Sequence, residues 1–167
     1  IFFRILMVEI DYVVPPEIAI SYEGDLDLKE LYMLIKSWLI DRGFFLIEKE
    51  HEGSSERFKS KWDAEKKVDD YTKYVIKVTL EATSLKQISI KDKNLYNGEF
   101  SVAFESYLAK DYENKMENKP LIKIFRGFYS KFVEKSREEH YESELKGLTT
   151  AFYNEIKAYF GLNSRSG

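Results

Sequence analysis

The chain of 167 residues contains no cysteine. Disulfide frameworks, thiol nucleophiles and cysteine-bound zinc are excluded with it. Glutamine occurs once, at Gln87, in a composition rich in Lys, Glu, Ile, Tyr and Phe. Thermophile proteins share that bias, and so do proteins from AT-rich genomes. Charges interrupt every apolar run, so no segment reaches the roughly 20 apolar residues that cross a bilayer. The eight glycines are scattered at turns and helix ends, and none forms a phosphate-cradling loop. Neither sign of charge dominates: 26 basic residues face 29 acidic ones, for a net charge of −3. A dedicated nucleic-acid binder would carry a basic excess.

What is present is a globular composition. Hydrophobic residues make up 44% and charged residues 33%, which suits a chain with a real core. The length fits one domain, expected over 1–162 with a frayed tail at 163–167. A soluble, cytoplasmic protein is the expectation. Ile1 is not an initiator. The apolar start Ile1–Leu6 reads as the beginning of a first strand running to Val14, as the remnant of a longer N-terminus or removed anchor, or as sequence upstream of a start at Met7.

Pro15-Pro16 ends the first strand, because proline cannot donate to a ladder. A short strand follows at 18–22. Asp27 is a good N-cap, with Glu30 three positions on in a capping-box arrangement. Leu28, Leu31, Leu34, Ile35, Trp38 and Leu39 share a face at helical spacing, and Gly43 supplies the stop. This predicts a helix at 28–42. Residues 44–50 read as a strand, and Gly53–Glu56 as a polar turn.

From Phe58 the period is two. Phe58, Ser60, Trp62 and Ala64 face one way, and Lys59, Lys61, Asp63 and Glu65 the other, as in a sheet with one wet face. Tyr74, Ile76, Val78, Leu80 and Ala82 form the next inward set, and Phe100, Val102, Phe104, Ser106 and Leu108 the last. Between them 87–91 reads as a shorter strand, with turns at Lys91–Asn94 and Asn97-Gly98. Further helices are predicted at 121–135, with Pro120 in its first turn, and at 138–160, closed by Gly161. The expected architecture is α+β: an antiparallel meander with one face covered by three helices. Trp38, Phe104, Phe125 and Phe152 are its expected core.

No catalytic motif emerges. His51, between Glu50 and Glu52, and His140, four residues before Glu144, could each supply a ligand or a base, but a solvated surface pair explains them as well. No catalytic residue, cofactor or metal is assigned. The stretch 110–137 is locally basic with interleaved aromatics. Lys115, Lys119, Lys123, Arg126 and Lys131 with Tyr112 and Tyr129 form a candidate interaction surface for an acidic protein, RNA or membrane headgroups. The twelve tyrosines and twelve phenylalanines exceed what one core needs, so another chain could cover the surplus.

The working function is therefore a non-catalytic structural or interaction protein, a subunit of a larger assembly, with self-association as one form. The alternative is a pocket for a hydrophobic small molecule between sheet and last helix. In element order alone the chain resembles helix-grip lipid-binding and cyclase-like proteins, whose layout lacks a helix before residue 137. An acid–base or metal enzyme built on either histidine is the third option.

Overall fold

The alternating segments build one antiparallel sheet. A computed structural model describes residues 9–110 and 135–165. Its strands are β1 (Glu9–Leu26), β2 (Phe45–Gly53), β3 (Phe58–Lys67), β4 (Thr72–Ile90) and β5 (Lys93–Lys110). They lie in the order β1-β5-β4-β3-β2, each neighbouring pair antiparallel. β3 to β5 occupy the stretch of the expected meander as three strands rather than four, because the short strand expected at 87–91 is the end of β4. β2 and β1 add on either side. Helix α1 (Leu28–Asp41) links the two edge strands, and α2 (Lys135–Arg165) follows the last strand.

The α+β class holds, but the described residues contain two helices rather than three. The helix expected at 138–160 is part of α2, whose described residues run from Lys135 through Gly161 to Arg165. Gly161 lies four residues inside the helix and so does not stop it. Back-bonds from Asn163 Nδ2 to the Tyr159 carbonyl (2.9 Å) and from Ser164 Oγ to that of Gly161 (2.8 Å) support the last turn. The helix expected at 121–135 falls outside the described residues except for Lys135.

Asp27 caps α1 as its sequence implies, accepting the Glu30 amide at 3.0 Å. Leu31, Ile35, Trp38 and Leu39 are its buried face. The helix ends where Gly43 takes φ of 83°, and the Arg42 guanidinium lies 3.7 Å over the Trp38 ring. Three of the four expected core residues meet at the centre. Phe152 of α2 stacks on Trp38 with centroids 4.6 Å apart and meets Phe104 edge-on at 5.1 Å. Leu145, Ile156 and Phe160 extend that contact along α2. Full burial of each such side chain is worth roughly 1.5–3 kcal/mol. Phe125 lies outside the described residues.

Two strands are longer than expected, because each absorbs an irregularity. β1 runs through Pro15-Pro16, with the ladder skipping from Val14 to Ile18. β4 runs from Thr72 to Ile90 with a register shift between Thr83 and Lys86, where Ser84 takes φ of 54°. Asn97-Gly98 is not a turn. Both residues pair within β5, and the hairpin turn is Lys91-Asp92, with φ of 49° and 63°. Positive φ at both central residues is the type I′ geometry. Gly98 has a steric reason instead: a Cβ there would sit 2.8 Å from the Thr83 carbonyl and 3.0 Å from Leu85 Cδ2.

The sheet edges differ. β1 carries two prolines in an unpaired interruption, and β2 carries Glu48, Lys49, Glu50 and Glu52 with a register shift between Glu48 and Glu50. Both devices discourage further strand pairing. The β3 ladder on β4 stops at Ala82, and Leu85 N–H donates to the Glu56 carbonyl at 3.0 Å. Past that point Lys86–Ile90 pairs with Lys93–Asn97, of which Tyr96 and Asn97 also pair with Leu26 and Asp25 of β1. This hairpin end projects roughly 15 Å beyond β3 and is termed the arm.

Candidate functional site

Two polar constellations tie the helices to the sheet. The first centres on Glu48. Cross-strand register puts Glu48 opposite Trp62 and His51 opposite Ser60, so both project toward α1. Glu48 Oε1 accepts from Ser60 Oγ at 2.8 Å, Tyr32 Oη at 3.1 Å and His51 Nδ1 at 3.1 Å. Burial raises the carboxyl pKa, but the donors Ser60, Tyr32 and His51 outweigh it and leave Glu48 below the usual carboxylate range. An ionised carboxylate only accepts, so in its neutral form His51 carries its proton on Nδ1. Tyr32 meets Trp62 edge-on at 5.1 Å and Phe58 at 6.1 Å, and His51 meets Phe58 at 5.3 Å. The buried Trp62 Nε1 has no hydrogen-bond partner. The ties run from helix to strand and from strand to strand.

The second constellation fastens the start of α2. Tyr74 is fully buried, and its hydroxyl donates to Glu144 Oε2 at 2.6 Å. Burial, and then this bond, hold its phenol well above the usual range. Tyr141 donates to Asp69 Oδ2 at 2.9 Å, and Arg137 Nη1 approaches the same oxygen at 3.7 Å. Asp69 Oδ1 meanwhile accepts the Tyr71 and Thr72 amides at 2.8 and 2.6 Å, closing the β3–β4 turn. The buried Lys110 ammonium sits 2.8 Å from Glu138 Oε1.

The sheet's other face carries a cross-strand ion array. Lys59 reaches Glu81 at 3.0 Å and Glu50 at 3.6 Å, and Lys61 reaches Glu50 at 2.9 Å. Lys73 pairs with Glu65 at 3.1 Å, Lys77 with Glu105 at 3.7 Å and Lys49 with Asp63 at 3.9 Å. The hydrogen bond from Lys61, with Lys59 adding, lowers the Glu50 pKa. Solvent and salt screen exposed pairs of this kind, so they add little to stability. The lysines and carboxylates of this array match one for one.

Both histidines are exposed. His51 turns to Glu48 rather than to its sequence neighbours Glu50 and Glu52, which lie on the other face. Glu144, expected beside His140, accepts the Tyr74 hydroxyl. Among the described residues no group of three or more His, Asp or Glu side chains could hold a metal ion. The candidate surface of Lys115, Lys119, Lys123, Arg126, Lys131, Tyr112 and Tyr129 lies outside the described residues. Among the described residues, no helix is long and apolar enough to cross a membrane. Of the tyrosines thought surplus, Tyr74 is core, and Tyr71, Tyr107 and Tyr153 are partly buried.

Sequence reasoning missed the pairing of Glu48 with His51. On a regular strand, residues three apart face opposite ways. The β2 register shift puts both on one face, and no sequence signal marks it. No protein family, curated protein sequence or solved structure matches the chain.

Proposed function

We propose that the chain is a non-catalytic structural or interaction protein, a subunit that works by contact with other proteins. One observation carries the reading. The polar constellations between helices and sheet are closed upon themselves: Glu48, Asp69, Glu138 and Glu144 each bind a donor from another element. Groups so engaged fasten helices and are poorly placed to bind a substrate. The balanced outer face supports a protein partner over a nucleic acid, whose phosphates select a basic excess.

The proposed contact from sequence is the basic, aromatic set Lys115, Lys119, Lys123, Arg126, Lys131, Tyr112 and Tyr129. Its described flanks, Lys110 and Glu138, meet at one corner of the body. Sedimentation velocity and affinity capture from native extract, followed by mass spectrometry, test the reading. A partner retained by the native chain and lost when those five basic residues are changed to glutamate is the expected result. A monomer without any partner counts against it.

The alternative, a pocket for a hydrophobic ligand under α2, has less support, since Trp38, Phe104 and Phe152 pack directly between α2, α1 and the sheet. Native mass spectrometry of purified protein tests it through a bound lipid mass.

A further inference from the structure

We propose that the free edge of β4 from Lys86 to Ile90 is a strand-docking site that takes an extended acidic segment of a partner protein. This deepens the interaction reading above and rests on it. In an antiparallel strand alternate residues turn their N–H and C=O groups to one side. On β4 the β3 side is filled up to Ala82 and, among the described residues, free beyond Leu85. Backbone groups left open in that way are the template for an added strand.

The edge lacks the prolines and register shifts of the other two and carries one charge, Lys86. From Lys86 to Ile90 it has no proline, no register shift and no carboxylate. Ile88 and Ile90 share one face of the arm, and Ile90 is 47% exposed. The junction is built rather than frayed. Gly98 lets β5 pass under the Thr83 carbonyl, and Leu85 is buried in the body. The type I′ turn at Lys91-Asp92 fixes the register of the ribbon.

Charge selects the occupant. The arm carries Lys86, Lys91 and Lys93 against Asp92 alone, and none of these lysines is in an ion pair among the described residues. Lys86 and Lys91 bracket the open edge. On the side away from that edge, Ile90, Lys91, Lys93 and Leu95 of the arm line a depression of about 590 Å³ whose far wall holds Glu23, Asp25, Asp27 and Glu30. An acidic strand is repelled there and drawn to the β4 edge. A second copy of the arm would bring lysines together, which disfavours self-pairing.

The test uses the full chain, labelled with nitrogen-15, and a peptide of alternating isoleucine and threonine with two glutamates at each end. Amide shifts centred on Lys86–Ile90, and at least tenfold weaker binding of the same peptide N-methylated at alternate residues, are expected. Lys86→Glu with Lys91→Glu should weaken the acidic peptide at least tenfold and leave the remaining spectrum unchanged. No shifts at millimolar peptide, shifts elsewhere, or equal binding of the N-methylated form would overturn the proposal. So would self-association of the chain that this double variant leaves intact but that Ile88→Pro abolishes. A native partner held equally by wild type and double variant sinks the arm while the interaction reading stands. A chain with no partner but a mapped peptide site does the reverse.

Discussion

The body of the sheet and the arm are continuous in β4 and β5, yet they are held in opposite ways. In the body each strand has a neighbour on both sides or a protected edge, and tyrosine hydroxyls fasten both helices to it. In the arm β4 has β5 as its one neighbour among the described residues, β5 keeps β1 only at Tyr96 and Asn97, and the lysines have no carboxylate partner among the described residues. A two-stranded ribbon is at best marginally stable by itself, so the arm depends on its junction. The contrast teaches where interaction can reside in this fold. Groups that already have partners hold the molecule together, and groups that lack them remain for another chain.

Substitutions at the centre of the body should hurt most. Phe152→Ala removes the ring between Trp38 and Phe104 and should cost about 3–5 kcal/mol, read as a lower urea midpoint. At the junction, Gly98→Ala forces a methyl against the Thr83 carbonyl and should cost about 1–3 kcal/mol. Faster amide exchange in the arm should accompany it. Tyr74→Phe leaves Glu144 without its donor and should cost about 1–2 kcal/mol. If the contrast holds, Ile90→Thr in the arm changes stability by less than about 0.5 kcal/mol. An equal loss in arm and body would erase the distinction.

The tyrosine ties also set an alkaline limit. Burial, with neighbouring carboxylates adding, raises the phenols of Tyr22, Tyr74, Tyr141 and Tyr159. Above about pH 10 the unfolded chain sheds these protons while the folded chain keeps them. Stability is therefore complete below pH 10 and falls as pH rises beyond it. Unfolding should coincide with the tyrosinate absorbance step, and Tyr74→Phe should make the fall shallower.

Much of the body was legible because its signals are local. Period-two alternation placed Trp62, Ile76 and Phe104 on the inner face, and the Asp27 cap with its apolar stripe gave α1. The arm was not legible. Gly98 looked like half of an Asn-Gly turn because a glycine needed for close approach and one needed for positive φ read alike. The prolines of β1 looked like an end because a sequence does not reveal an edge strand that can carry them. The ties were hidden for another reason: Tyr74 and Glu144 are 70 residues apart, and Glu48 meets His51 through a register shift. Long-range pairs of common residue types leave no periodicity.

Residue-resolved native-state hydrogen exchange tests the central contrast most directly. Amides of Tyr74–Leu80, Phe100–Ser106 and the middle of α2 should exchange only through global unfolding, while Lys86–Ile90 should exchange far faster by local opening. Protection of Lys86–Ile90 equal to that of Tyr74–Leu80 in the isolated chain would contradict the account.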